Sequence, residues 1–87
     1  MKHAGAAALD SIEPLLGRIR ALEVLKEKSR GCFYFKARGF VHFHEDPAGL
    51  FADIRREDGS KFDDRLLVDA AGEAEILRRV AALKVAA

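Results

Sequence analysis

Two stretches with helical spacing of hydrophobic residues flank a central segment in which hydrophobic and polar residues alternate. Spacings of three or four indicate one buried face of a helix, whereas a spacing of two indicates a half-buried strand. Asp10 or Ser11 can cap the first helix, and Gly31 is placed to end it, although the pattern weakens beyond Leu22. Asp69 can cap the last helix. The helical hydrophobic positions are Ile12, Leu15, Leu16, Ile19 and Leu22, then Ile76, Leu77, Val80 and Leu83.

The segment after Gly31 predicts a β-hairpin with an apolar face. A three-residue loop, 37–39, with Gly39 in the left-handed region fits the turn chemistry. A two-residue turn at Arg38 and Gly39 would instead mix phenylalanines with histidines on one face, so we favour the longer loop. This register gives the core face Phe33, Phe35, Val41 and Phe43, and it pairs Lys36 with Phe40, Tyr34 with His42, and Cys32 with His44.

Two further turns predict two more strands. Asp46, Pro47 and Gly49 suit a type I turn, and a loop over 57–59 ends in glycine. Asp64 would then lie opposite Ala52 on the core side, where it fits badly, so we expect the last strand to fray there. The predicted pairs are Glu45 with Leu50, His44 with Phe51, Phe43 with Ala52, His42 with Asp53, Val41 with Ile54, Ile54 with Phe62, and Asp53 with Asp63.

These elements predict an α+β fold: a helix, a four-stranded antiparallel meander and a helix, in two layers with both helices on one sheet face. The 87 residues are enough for a single domain spanning 1–87 with one modest core. Residues 1–9 are small and poor in packing groups, so we expect them to be frayed.

Charge and cysteine content narrow the classes of partner and compartment. Fifteen Lys+Arg against 14 Asp+Glu give a net charge of +1, so no global field attracts a polyanion or an acidic membrane. No apolar stretch approaches the roughly 20 residues that span a bilayer. The lone cysteine cannot form an internal disulfide, and the chain start is too weakly apolar for a signal peptide, which favours a cytoplasmic location.

The sheet face away from the helices collects the candidate functional residues. His42 and His44 lie two apart on one strand, so both imidazoles can reach one transition-metal ion, with Cys32 or Asp53 as a third ligand. The alternating pattern supplies no third histidine as a ligand. We predict no bound cofactor. The residues of this predicted face are Cys32, Tyr34, Phe40, His42, His44, Phe51, Asp53 and Asp63.

Enzymatic and nucleic-acid functions find less support in the pattern. His42 beside Asp53 resembles an oriented general base, and Cys32 beside an imidazole resembles an activated nucleophile, but no enclosing pocket is indicated. A basic row with an aromatic residue could stack single-stranded bases, although the neutral net charge and the nearby acidic pair oppose this. That row consists of Lys36, Phe40, Arg55 and Lys61.

The segment from Leu25 to Arg55 resembles small bacterial proteins of unknown function that carry an aromatic hairpin followed by HFHEDPAGLFAD. The resemblance implies a bacterial cytoplasmic domain and transfers no functional residue. Histidine-triad hydrolases need a third alternating histidine where this chain has Asp46, and cupin-type metal sites need a larger barrel.

The function that the sequence favours is therefore non-enzymatic contact with a protein, most simply a homodimer. Phe40, Phe51, Tyr34 and Cys32 would give the uncovered face more apolar area than a monomer comfortably exposes. A two-fold axis would cover that face with a second copy. Binding of a metal or small ligand at His42, His44 and Asp53 is the alternative.

Overall fold

The computed structural model describes residues 2–56 and 64–86, and it has an α+β fold. The antiparallel sheet has six strands in this part of the chain, so the prediction of four strands is wrong. The helices are α1 (Ala6–Ser11), α2 (Glu13–Ala21) and α3 (Ala70–Ala86), and the strands are β1 (Lys2–His3), β2 (Lys26–Ser29), β3 (Cys32–Phe35), β4 (Arg38–Asp46), β5 (Gly49–Ile54) and β6 (Asp64–Leu67).

The longest strand, β4, is the centre of the sheet. The order is β2-β3-β4-β5-β6, and β1 pairs with β4 as well. Because β5 occupies one edge of β4, β1 and β3 must share the other edge: β3 pairs near Val41, and β1 pairs at His44 and Glu45. β1 and β3 therefore lie end to end along the same edge of β4, with a break between them.

One hydrophobic cluster joins the helices to the sheet. The predicted core residues Phe33, Val41 and Phe43 are 1–2% exposed, and Phe35 packs partly buried against the same cluster. Strand positions that alternate with the histidines therefore face the core. The buried members are Leu9, Ile12, Leu15, Leu16, Ile19, Phe33, Phe40, Val41, Phe43, Ala52, Ile54, Ile76 and Val80.

The predicted first helix corresponds to α2, which ends at Ala21, ten residues before the predicted end at Gly31, and β2 takes the place of its last turns. The hydrophobic pattern no longer supports a helical face there, and Glu23 adopts a left-handed φ of 56°. Gly31, with φ of 80°, instead closes the β2–β3 hairpin, in which Ser29 pairs with Cys32. Its glycine signal was correct for a turn and wrong for a helix end.

Opposite charges hold this helix against β2. The guanidinium of Arg20 donates to both carboxylate oxygens of Glu27, at 2.6 and 3.0 Å, and also to Glu13. Arg30 lies 2.8 Å from carboxylate oxygens of Glu13 and Asp10. These pairs connect α1 and α2 to Glu27 of β2 and to Arg30, which follows β2. We call Asp10, Glu13, Arg20, Glu27 and Arg30 the ion-pair cluster.

The β3–β4 hairpin has a different register from the predicted one. Its turn residues are Lys36 and Ala37, both with left-handed φ, and the pairs are Phe35 with Arg38, Tyr34 with Gly39 and Phe33 with Val41. A bulge separates the last two pairs. The predicted pairs of Tyr34 with His42, Cys32 with His44 and Lys36 with Phe40 are therefore wrong.

The β4–β5 hairpin confirms the predicted register from Val41–Ile54 to Glu45–Leu50, including His42 with Asp53. The next register is shifted by two residues: Asp53 pairs with Arg65 instead of Asp63, and Ile54 pairs with Asp64 instead of Phe62. A shift of two preserves the faces. The predicted loop over 57–59 and the residues Lys61 and Asp63 lie outside the described part of the chain.

The last helix agrees with its sequence signals. The Asp69 carboxylate accepts a hydrogen bond from the backbone N–H of Gly72 at 2.8 Å, as an N-terminal cap does. Ile76 and Val80 are fully buried, and Leu77 and Leu83 are partly buried against the core. None of the described helices combines the length and apolar character needed to cross a membrane.

The start of the chain was expected to be frayed, but residues 2–3 and 6–11 form β1 and α1. The N–H of Ala4 donates to the Phe43 carbonyl at 3.0 Å, and the N–H of Gly5 donates to the Glu45 carboxylate at 2.6 Å. Leu9 is buried in the core. These contacts connect the chain start to β4, where the sequence pattern had placed the two candidate histidines.

Candidate metal centre

All three histidines of the chain meet on the sheet face opposite the core. One ring nitrogen from each of His3, His42 and His44 lies within 4.8 Å of the others. The ring centroids of His42 and His44 are 4.6 Å apart, and those of His3 and His44 are 4.9 Å apart. We call these three residues the histidine cluster.

Backbone pairing positions each member of the histidine cluster. His42 and His44 alternate along β4, so the buried Phe43 between them points to the opposite face. His3 pairs directly with His44 through the β1–β4 ladder, which places the two side chains on one face. The histidine cluster is therefore built from two adjacent strands, and its paired members His3 and His44 lie 41 residues apart in sequence.

The third histidine was missed by the sequence prediction, which offered Cys32 or Asp53 as a third ligand. A two-residue strand is too short to show any alternation, and His3 falls within the segment that was expected to fray. The available signal was composition alone: the chain has three histidines, and the prediction used two of them.

Asp53 lies behind the cluster. Its Oδ2 atom is 2.7 Å from Nδ1 of His44, and its Oδ1 atom is 3.1 Å from Nε of Arg65. The His44 contact has the distance of an ion pair without the alignment of a hydrogen bond. With Nδ1 turned to a carboxylate, Nε2 of His44 is the nitrogen available to a metal, which is the usual arrangement of a ligand histidine and its outer partner.

The electrostatics of the cluster favour a neutral imidazole at His42. Burial lowers the pKa of His42, the neighbouring His44 and His3 lower it further, and the Asp53 carboxylate only partly opposes them. A neutral imidazole carries the lone pair that a metal ion requires. Three imidazole nitrogens at this separation suit zinc, copper, nickel or cobalt better than the oxygen-preferring calcium or magnesium.

The geometry is close to that of a bound site. Two nitrogens on one tetrahedral zinc, each at 2.0–2.1 Å, lie about 3.3 Å apart. The nitrogens of the histidine cluster lie within 4.8 Å, so each pair needs to approach by up to about 1.5 Å. Side-chain rotation provides movements of this size without a change of backbone.

Other residues of the predicted face are only partly brought together. Cys32, Tyr34 and Phe51 are half-buried near the cluster, and Phe51 pairs with His44 as predicted. Phe40 is 4% exposed and belongs to the core, because the bulge in β4 places both Phe40 and Val41 on the core side. Its predicted place on the outer face is wrong, and the basic row loses its aromatic member.

A cavity of about 340 Å³ borders the histidine cluster. Two of its lining residues, His3 and His42, are candidate metal ligands. Two others bring a thiol and a hydroxyl group, from Cys32 and Tyr34. The cavity occupies the break between β1 and β3 on the edge of β4. The remaining lining residues are Phe33, Gly39 and Val41.

Comparison of the chain with protein-family models, with characterised proteins and with solved structures gives no match. The resemblance of residues 25–55 to small bacterial proteins therefore stays a prediction. Functional inference depends on the geometry of the histidine cluster and its surroundings.

Proposed function

We propose that this protein binds a transition-metal ion, with zinc as the leading candidate, through His3, His42 and His44. The observation that carries the proposal is the convergence of all three histidines, from two strands, to within 4.8 Å on one sheet face. Histidine pairs on a strand are common without a metal, whereas a third imidazole brought in from a distant segment completes the ligand number of a zinc site.

Asp53 supports the same proposal. The carboxylate lies 2.7 Å from Nδ1 of His44, so a small rotation of either side chain would form the hydrogen bond that usually orients a ligand histidine. Arg65 holds the second carboxylate oxygen, so Asp53 is itself kept in place. The predicted role of Asp53 thus changes from a candidate ligand to a positioning residue for His44.

Metal analysis of untagged protein tests the proposal directly. We expect one zinc per chain after dialysis against trace zinc, and loss of that zinc in His42→Asn. Phe51→Leu is the matched control, because Phe51 lies on the same face beside His44 and supplies no ligand atom. Zinc content that stays far below one per chain, or that survives replacement of two histidines, would refute the proposal.

Asp53→Asn sharpens the test. Loss of an outer partner weakens metal binding about 10–100-fold in known sites while the ligands remain. We therefore expect this variant to bind one zinc per chain at high zinc and to release it to a weaker chelator than the wild type does. An unchanged affinity would remove Asp53 from the site.

A second proposal concerns contact between two copies of the chain. Phe51 pairs with Leu67, which is 46% exposed, so the row that begins at His44 ends in an apolar strip. Phe40 is buried in the core, so the exposed apolar area is smaller than the sequence predicted and consists mainly of this strip. We propose a two-fold contact through Phe51 and Leu67 in a bacterial cytoplasmic protein, with the helices packed on the opposite face of the sheet.

Light scattering tests this contact. A dimer should have twice the chain mass, and Leu67→Glu or Phe51→Glu should restore the monomer mass by placing two like charges in one interface. Leu67→Ala is the size control. A wild type that remains monomeric at high micromolar concentration would refute the dimer and leave the metal proposal unaffected.

A further inference from the structure

We infer that the metal at the histidine cluster keeps one open coordination position, and that this position takes the carboxylate of a small organic acid whose short apolar body enters the cavity between β1 and β3. The inference rests on the proposed metal site. It adds a ligand class to that site.

The first step is the number of protein ligands. Three histidines leave one position of a tetrahedral zinc unfilled, as in catalytic zinc sites, whereas structural sites use four protein ligands. Within the described part of the chain, the group of close ligand atoms contains the three histidines and no thiol or carboxylate. Asp53 faces Nδ1 of His44 and is held by Arg65, so it remains an outer partner.

The second step is the place of the open position. Both His3 and His42 line the 340 Å³ cavity, so a metal held between their rings borders that space. Cys32 and Tyr34 form the opposite walls, and both are half-buried. Two members of the histidine cluster line this cavity, whereas the pocket beside Leu9 and Gly31 is lined by His3 alone of the three.

The third step is charge. A divalent ion on three neutral imidazoles carries two positive charges, which one nearby carboxylate, Asp53, only half offsets. The described lining of the cavity contains no acidic side chain. The ammonium of Lys28 lies 4.4 Å from the centre of the Tyr34 ring, which adds positive charge beside the cavity. A monoanion is therefore the complementary ligand.

The fourth step is size and polarity. A cavity of about 340 Å³ lies at the lower end of the range for small-molecule sites, about 300–1,000 Å³. Phe33 and Val41 are 1% exposed and face the core, so a ligand in the cavity meets mainly the Tyr34 ring and the Cys32 side chain besides the histidine rings. A short-chain carboxylate matches this space: one oxygen replaces metal-bound water, and the hydrocarbon chain contacts the Tyr34 ring and the Cys32 side chain.

Cobalt-substituted protein provides the test, because the visible spectrum of cobalt(II) reports both ligand type and coordination number. We titrate the cobalt protein with acetate, propionate and butyrate. We expect each acid to change the visible bands at one equivalent per chain, with affinity rising about fourfold for each added methylene group that becomes buried.

Two variants of one residue separate size from ligation. Cys32→Leu narrows the cavity and should weaken butyrate binding by about tenfold or more while cobalt content stays unchanged. Cys32→Ser keeps the size and should bind butyrate as the wild type does.

The outcomes distinguish the two proposals. If no cobalt or zinc binds, the proposed function itself fails. If cobalt binds with an intense thiolate-to-metal band that Cys32→Ser abolishes, Cys32 fills the fourth position and the ligand inference is overturned while the metal site stands. A visible spectrum of the cobalt protein that stays unchanged on addition of all three acids would also overturn the ligand inference.

Discussion

The ion-pair cluster and the histidine cluster are both polar, but they arrange charge in opposite ways. In the ion-pair cluster, Arg20 contacts two carboxylates and Arg30 contacts two, so each charge has an opposite neighbour. In the histidine cluster, three chemically identical rings approach one another, and one carboxylate contacts one of them. The first arrangement pairs opposite charges, whereas the second gathers like rings with a single carboxylate beside them.

The two clusters also differ in what holds them. The members of the ion-pair cluster hold one another through hydrogen bonds from arginine to Glu13 and Glu27, and these bonds lower the pKa of both carboxyl groups. The histidines are placed by the backbone ladder and by the core beneath β4. This difference predicts that the histidines contribute little to the stability of the metal-free protein, and that removal of the core would disturb them most.

The largest expected effect tests that dependence on the core. Phe43 is 2% exposed and lies between the two histidines of β4, on the opposite face. Phe43→Ala should lower the free energy of unfolding by about 3–5 kcal/mol, since a buried ring is lost and a cavity remains. His44→Ala should cost far less in metal-free protein. Urea denaturation of both variants gives the comparison, and equal costs would contradict the assignment of the two faces.

A smaller loss of stability is expected when the ion-pair cluster loses one of its arginines. Arg20→Met should lower stability by roughly 1 kcal/mol at low salt, because Arg20 is 37% exposed and its pairs are partly screened by water. Arg18→Met is the control, because Arg18 is 65% exposed and has one long contact of 3.9 Å, to Glu73. The deficit of Arg20→Met should shrink in 1 M salt. A loss of stability that does not depend on salt concentration would indicate lost packing instead.

The smallest effect concerns acid. Hydrogen bonds from Arg78 and then Arg79 lower the pKa of Glu75 to about 2. A lowered carboxyl pKa gives stability that is present above the pKa of the unfolded chain and is lost as pH falls from about 4.5 towards 2. Glu75→Gln should therefore reduce the loss of stability over this range, by less than about 1 kcal/mol for a surface pair. Thermal unfolding against pH, with Glu73→Gln as control, measures it.

The accuracy of the sequence prediction followed the strength of local signals. The Asp46–Gly49 turn fixed the β4–β5 register, and with it the positions of His42, His44, Phe51 and Asp53. The β3–β4 register failed because the turn uses Lys36 and Ala37 in left-handed conformations, which the nearby Gly39 signal obscured. A bulge then moved Phe40 into the core.

The sequence predicted only the part of the candidate site that lies on one alternating strand. Alternation along β4 placed two histidines on the outer face, but pairing between β1 and β4 joins residues 41 positions apart and leaves no local pattern. Only the tertiary structure brings His3 to the other two. Distant pairing of this kind is selected by backbone hydrogen bonds and core packing rather than by short-range propensity.

The shortness of β1 has a kinetic consequence. Ordering each residue of a strand costs about 1–2 kcal/mol of conformational entropy, and β1 has only two residues with which to recover it. Its opening and closing are therefore expected to be the fastest motion around the cluster, and a bound ion would leave as His3 swings away. The N–H of Ala4, which donates to the Phe43 carbonyl, reports that motion. Its hydrogen-exchange rate should slow when zinc is added, because the bound ion would hold His3 and the closed β1 in place.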